Sequence, residues 1–408
     1  MSGPRRVCFV CSSALHVKLF TPTIRLVASI GRLQPIIVSL DQFYAGIHGN
    51  VTACAEELQL PAVIVDAGFG RGDQGGGLMA RIFAAHGAGM RAMVALFNDG
   101  GTGLVVLGND TGHAERVVIA AARSLGLPTL LVQDGFLFDQ FPAGLSGTLR
   151  LTLRRLWLAV GGDRPGWVPY GMGGCDAIAA HGIGWLETIH RGKRGATRHI
   201  VVTGHPALIR SAAPLAAPLG GSNVLFFCSN FLSAHNDAAA HRDQIGEILA
   251  LHRLLMARYG SSCVLHVKLH PADQLKDYAA LTGIPGITLH KDAVLDELIR
   301  KSWLCVTNIS SVWLDCLATR RVCLMSGISL KSASYRRLFA HLPGTKFVTW
   351  DAFCGWLDQL DSAGGYARVL TMQEEELETW IGEPGQGTER LAALIDELAN
   401  ADAVKGNA

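Results

Sequence analysis

Short apolar runs alternate with helix-like stretches along the whole chain, and this alternation leaves few folds open. Val7–Cys11, Gln34–Leu40, Ala62–Asp66, Leu104–Leu107 and Thr129–Val132 read as strands. Thr21–Ile30 and Ala114–Leu125 carry apolar residues at helical spacing. Asp176–Ala180 and Ile200–Val202 add two further strands. Strands that alternate with helices imply parallel sheets and right-handed crossovers, hence an α/β architecture.

The 408 residues exceed what one ordinary core accommodates, so two domains are expected. The first spans residues 1–205. A stretch rich in Ala, Pro and Gly at 206–221 reads as a linker. The second domain, 222–375, repeats the rhythm. Its strands are Asn223–Cys228, Val264–Leu269, Ile287–Leu289, Trp303–Thr307, Val322–Met325 and Phe347–Trp350, with helices at Gln244–Tyr259 and Leu295–Lys301. Residues 376–408 form a closing segment, with helices expected at Glu374–Trp380 and Thr388–Asn400. Ligands in such folds sit beyond the C-terminal ends of the strands, which here places them in a cleft between two facing domains.

Hydrophobic residues make up 49% of the chain and charged residues 17%, which fits a well-buried enzyme and excludes a disordered chain. A balance of 36 Lys and Arg against 34 Asp and Glu leaves +2, no footprint for nucleic acid. The ten cysteines lie mostly in apolar runs and read as small core residues of a reducing compartment. Cys8 and Cys11 form a C-x-x-C, but on a strand two positions three apart face opposite sides, which argues against redox or zinc chemistry. No His-Glu-x-x-His or Asp-x-Asp motif is present, so metal-independent chemistry without a resident cofactor is expected.

No apolar run approaches the roughly 20 residues of a spanning helix. Arg5-Arg6 precede only a short apolar stretch, which does not read as a signal peptide. A cytoplasmic protein is expected. Leu149–Val160, apolar with three arginines, reads either as a core-facing helix with solvated arginines or as a surface that touches anionic lipid at the inner membrane. Gly68–Gly77 is a glycine-rich loop without the Lys-Ser/Thr ending of a phosphate loop.

Two strand tips carry the chemistry. Val264–Leu269 delivers His270, followed by Pro271, and Trp303–Thr307 delivers Asn308–Ser311 at a helix start. Ser310 and Ser311 there can cap the helix, bind an anion, or do both. Asp315, four residues on, can accept hydrogen bonds from a sugar diol. His270 can donate to a phosphate oxygen or protonate a leaving group, or be satisfied by a backbone carbonyl. Ser229 and Asn230 follow the first strand of the second domain, where a tight turn approaches a ligand. Together these suit a nucleotide. In the first domain Asp134 sits at a strand tip before Gly135, as a base or as a turn residue. Asp110 either caps the following helix or faces an acceptor. His113 either contacts substrate or packs, and His16 and Lys18 are placed to meet an anionic group.

At these residues the chain resembles GT-B glycosyltransferases, which are built from two Rossmann-like domains. Val267-Lys-Leu-His-Pro271 and Asn308-Ile-Ser-Ser-Val-Trp-Leu-Asp315 resemble the donor site of bacterial capsule and surface-polysaccharide transferases. These include CDP-glycerol glycerophosphotransferases and sialyltransferases with His-Pro and Ser-Ser/Thr motifs. Gly108–Glu115 with Leu127–Gly135, and Val201–Pro206, resemble their acidic and interdomain segments. UDP-N-acetylglucosamine 2-epimerases are more distant relatives of the same kind. Two departures stand out. The sialyltransferases have two acidic residues where this chain has Gln133-Asp134, and the epimerases have Ser-Gly-Gly where it has Ser310-Ser311.

The resemblance implies Asp134 and His270 as catalytic, and Ser229, Asn230, His270, Ser310, Ser311 and Asp315 as donor-binding. His16, Lys18, Asp110 and His113 fall on the acceptor side. It further implies a nucleotide-sugar donor (CMP/CDP- or UDP-linked) and a surface-glycan or lipid-linked acceptor. A nucleotide-sugar 2-epimerase and a non-catalytic nucleotide- or glycan-binding protein are the alternatives.

Overall fold

The structure is a computed structural model that describes residues 4–42, 50–65, 78–99, 101–137, 170–192, 199–209, 223–232 and 236–405. It divides into two compact units, one of Met1–Ala207 with Ile381–Ala408, the other of Leu208–Trp380.

The first unit holds a seven-stranded sheet of β1 (Arg5–Cys11), β2 (Leu33–Ser39), β3 (Ala62–Ile64), β4 (Thr102–Leu107), β5 (Thr129–Val132), β6 (Ala177–Ala180) and β7 (His199–Val202). Every pairing is parallel, in the order β3-β2-β1-β4-β5-β6-β7. The chain steps outward from β1 in one direction, then returns to β4 and steps outward in the other. The loops after β1 and β4 therefore diverge, and this opens a crevice at the C-terminal ends of the strands. The linking helices are α1 (Ala14–Ile30), α2 (Val51–Glu57), α3 (Leu78–Asp99), α4 (His113–Ser124) and α5 (Leu186–Gly192). All of β4 and β5 is buried, as parallel strands covered on both faces require.

Helix α1 begins seven residues before the expected Thr21. Ser13, in extended backbone, caps it by accepting the His16 N–H, while Pro22 lies inside the helix and not at its start. That early start puts His16 on the first turn, at the tip of β1.

The second unit is a six-stranded parallel sheet of β8 (Asn223–Phe227), β9 (Val264–Lys268), β10 (Ile287–His290), β11 (Leu304–Thr307), β12 (Val322–Ser326) and β13 (Thr345–Phe347), ordered β10-β9-β8-β11-β12-β13. Its helices are α6 (Ala238–Tyr259), α7 (Leu295–Lys301), α8 (Val312–Ala318), α9 (Ala333–His341), α10 (Trp350–Asp361) and α11 (Gly365–Ile381). Ile248, Leu251 and Leu255 of α6 close over Val224, Phe226, Leu265 and Val306. The expected strand Phe347–Trp350 ends at Phe347. Thr349 accepts the Ala352 N–H and starts α10 instead.

The closing helix α12 (Gly387–Lys405) returns to the first unit. Leu391, Leu394 and Ile395 share a core with Phe20 and Ile24 of α1, and Arg5 Nη1 donates to Ala399 O at 2.6 Å. Glycine makes the return possible: a Cβ on Gly387 would lie 2.4 Å from His205 O, and Gly382 has φ +67.

Candidate functional site

At the tip of the first sheet, His16 and Asp134 meet. His16 Nε2 lies 3.2 Å from Asp134 Oδ2. The Ser12 N–H points at His16 Nδ1 at 3.3 Å, and the Ser12 hydroxyl lies at the same distance. A backbone N–H can only donate, so Nδ1 accepts and the proton of the neutral ring sits on Nε2, facing the carboxylate. His16 is 3% exposed, whereas the Asp134 side chain keeps 30% of its surface open. His16 therefore does not reach toward an acceptor, as the sequence suggested. It stands behind Asp134 and holds one of its oxygens. Gly108, just past β4, makes room for the ring: a Cβ there would lie 2.7 Å from His16 Cδ2.

The neighbouring residues are structural. Asp110 is fully buried and accepts the Gly171 N–H at 2.9 Å and the Gly173 N–H at 2.6 Å. It neither caps α4, whose N-cap is Gly112, nor opens toward solvent. Gln133 takes the place of a second acid. Its amide donates to Gly135 O at 2.7 Å and its oxygen accepts the His181 N–H at 3.0 Å, which fixes the turn that presents Asp134. Burial, with the charges of Asp134 and Asp110 adding to it, pushes the Tyr170 hydroxyl well above its ordinary range. His113 opens α4, half-buried, and Lys18 is exposed on α1.

Behind this tip two imidazoles stack, His181 and His205, with ring centroids 4.3 Å apart. Neither ring nitrogen of His181 has a hydrogen-bond partner among the described residues. Burial, with His205 adding, pushes His181 well below the usual histidine range, and burial pushes His205 down to about 3. Both are neutral at physiological pH.

At the tip of the second sheet, Ser229 is 5% exposed and accepts the Ile309 N–H at 3.2 Å, which ties the loop after β8 to the loop after β11. Its hydroxyl is a brace, while Asn230 beside it is half-buried. Asn308 is fully buried: its amide donates to Glu247 Oε2 and to Ser326 O, both at 3.0 Å, and its oxygen accepts from Gln244 at 2.9 Å. Glu247 also accepts the Ser329 N–H at 3.3 Å. This network, rooted on α6, fixes the loops after β11 and β12.

Ser310 and Ser311 stand half-exposed in front of it. Ser310 Oγ accepts the Val312 N–H at 3.3 Å, whereas Ser311, the N-cap of α8, makes no side-chain cap bond. One turn on, burial pushes the Asp315 carboxyl up from 3.8 to about 7, with the charge of Asp296 a lesser contribution. Its backbone carbonyl serves Thr319, but its carboxylate has no side-chain partner among the described residues.

His270 is half-buried at the tip of β9. The Ala272 N–H donates to its Nδ1 at 3.1 Å, which again places the neutral ring's proton on Nε2. Burial lowers its pKa, the nearby Lys291 and Lys268 lower it further, and Asp273 opposes them. A neutral hydrogen-bond donor is the resting state, not an imidazolium acid. Lys268 donates to Leu269 O and Lys291 O, so it is structural.

Cys8 and Cys11 are buried free thiols. Burial raises Cys8 to about 11 and Cys11 further still. Among the described residues no three His, Cys, Asp or Glu side chains converge as metal ligands would, and no helix is long and apolar enough to cross a membrane. Gly68–Gly77, Leu149–Val160 and most of the expected linker lie outside the described residues.

Solved structures share this architecture across nearly the whole chain. A putative UDP-N-acetylglucosamine 2-epimerase from Listeria monocytogenes superposes with a TM-score of 0.61 at 13% identity, covering 97% of this chain and 96% of that one. The glycotransferase of kitacinnamycin does so with 0.59 at 14% identity, covering 97% and 99%. The UDP-GlcNAc 2-epimerase of Methanocaldococcus jannaschii, solved in complex with UDP-GlcNAc and UDP, gives 0.54 at 13%, covering 96% and 99%. No protein-family model and no curated protein matches the sequence. The fold is α/β, with two Rossmann-like domains of the GT-B type.

Proposed function

We propose that the chain is a GT-B transferase that moves a sugar or polyol-phosphate from a CMP-, CDP- or UDP-linked donor to a surface-polysaccharide or lipid-linked acceptor. Asp315 carries this reading. A carboxyl that burial raises to about 7, with no side-chain partner among the described residues, lies one turn after the uncapped Ser311 hydroxyl, and holding it ionised there is costly. A ribose diol would supply the missing donors, and a phosphate would take the hydroxyls of Ser310 and Ser311. The His270 Nε2–H is a further donor for the phosphate oxygens, which gain charge as the bond to the sugar breaks.

In the first domain, Asp134 is the base. One oxygen is held by His16, and the other is left to take the proton of the acceptor hydroxyl as its oxygen attacks. No step needs a metal in this scheme, so activity should survive a chelator. Lys18 and Asn230 are placed to meet charged or polar parts of the substrates. Asp110, His113 and Ser229 act by shaping the loops.

The nucleotide-sugar 2-epimerase reading stays in view because several structures of this fold bear that name. A panel of nucleotide-activated donors, with and without glycan acceptors, separates the readings. Acceptor-dependent release of nucleotide is the expected result. Interconversion of the sugar without acceptor would replace transfer by epimerisation, and binding without turnover would leave a non-catalytic protein.

A further inference from the structure

Lys291 was not a candidate in the sequence, yet it holds the His270 loop more tightly than any other side chain does. It is the residue immediately after β10, next to β9 in the sheet. Its ammonium donates to Asp273 O at 2.5 Å and to Pro271 O, and lies 3.5 Å from His270 O. An ammonium has three donors, and all three point at carbonyls of one short turn. The turn is closed from within by Asp273 N–H to His270 O at 3.0 Å and by Ala272 N–H to His270 Nδ1 at 3.1 Å. Lys268 Nζ in turn donates to Lys291 O at 2.6 Å, so the backbone that carries Lys291 is itself pinned. Asp273, 2% exposed, accepts the Tyr278 hydroxyl at 2.7 Å.

We infer that Lys291 is a positioning residue: its carbonyl-capped ammonium fixes the His270–Asp273 turn and the tautomer of His270, so that Nε2–H is the proton this loop offers a ligand. Carbonyl ligation orients the turn, and the ammonium's positive charge opposes a second positive charge on the imidazole. The charged groups that act on His270 are Lys291 after β10, Lys268 at the end of β9 and Asp273 in the turn. Burial is the largest influence and lowers its pKa, Asp273 opposes it, and the two lysines add to the lowering. The result is a donor that stays neutral and fixed, not an acid that comes and goes with pH. The inference rests on the reading of His270 as a donor-phosphate contact.

The test is NMR titration of the His270 imidazole in the full-length protein, wild type, Lys291→Met and Lys291→Arg, with UDP and CDP affinity measured in parallel. In the wild type His270 should titrate below the ordinary histidine range. Lys291→Met should raise that midpoint by about half a pH unit or more. It should also weaken nucleotide binding by about tenfold or more, as loss of a well-placed donor to phosphate does. Lys291→Arg, which keeps the charge, should leave the midpoint low. A wild-type midpoint at or above the ordinary value overturns the inference without any variant, and so does a midpoint that Lys291→Met leaves unmoved. A midpoint that moves while nucleotide affinity stays the same supports the role of Lys291 and removes His270 from the donor site.

Discussion

The two sheet tips are built on opposite plans. In the first domain the polar groups around Asp134 are matched to one another: His16 to Ser12 and Asp134, Asp110 to Gly171 and Gly173, Gln133 to Gly135 and the His181 N–H. Facing solvent from this circuit is the exposed part of one carboxylate. In the second domain Asn308, Glu247 and Ser229 also brace the loops, but the front row is less matched. Ser311 makes no side-chain cap bond, and Asp315, its pKa raised by burial, has no side-chain partner among the described residues. A closed circuit with one open oxygen suits proton transfer at a fixed point. An open set of donors and acceptors suits a ligand that completes it.

The sharpest way to break this contrast is Asp134→Asn. Turnover should fall by roughly 10²–10⁴-fold, while nucleotide affinity stays unchanged, because its partner is the acceptor hydroxyl. Steady-state kinetics beside calorimetric titration reads both, and an active Asp134→Asn enzyme would remove the base from this tip. Gly108→Ala should act on the same circuit from outside. The added methyl displaces the His16 ring, and turnover should drop about ten- to a hundredfold with the fold retained by circular dichroism. Normal turnover in this variant would mean the His16 contact is dispensable.

Ser310→Ala with Ser311→Ala should act on the other tip alone. Hydrogen bonds to charged phosphate are worth about 1.5–3 kcal/mol each, so nucleotide affinity should weaken about tenfold or more. An unchanged affinity by calorimetry would rule out this loop as the phosphate site.

The smallest expected effect is on stability and has opposite signs at the two tips. Asp315 is raised to about 7 in the fold, so the folded protein holds a proton there that the unfolded chain releases above 3.8. Its contribution therefore falls as pH rises from about 4 to 7, and Asp315→Asn should stabilise the ligand-free protein at pH 8 by something on the order of 1 kcal/mol. His181 and His205 are depressed, so their contribution is complete above 6.5 and is lost as pH falls toward 3. Thermal melts of wild type and Asp315→Asn at pH 5 and 8 test the first sign. In Asp315→Asn, where that carboxyl no longer opposes the change, a melting temperature that does not fall between pH 7 and 5 would contradict the second.

Much of the scaffold was legible because parallel strands buried on both faces leave continuous apolar runs. β5 and α7 fall where the pattern places them. Helix α1 was expected to start at Thr21 on its apolar spacing, while the true start at Ala14 depends on the Ser13 hydroxyl. The return of α12 to the first unit left no local trace, since it depends on glycine contacts between distant loops. Within the site, Ser310, Ser311, Asp315, Asp134 and His270 were visible as polar residues at strand tips or helix starts. The residues that hold them were not. Gly108 acts through the space it leaves, Lys291 through carbonyls of a neighbouring loop, and Glu247 from the middle of α6. Nor could sequence tell an exposed histidine from a buried one, which is why His16 was expected, with Lys18, to meet an anionic group, whereas it is buried.

The proposal stands or falls on whether the tip of the second sheet binds a nucleotide, with Asp315 on its ribose diol. Its most direct test is calorimetric titration of UDP, CDP and CMP into the wild type and Asp315→Asn at pH 8, where the carboxylate is ionised. Saturable binding of at least one nucleotide to the wild type is expected, with about tenfold or greater weakening in the variant. Binding that Asp315→Asn leaves intact, or no binding of any of the three, would contradict it.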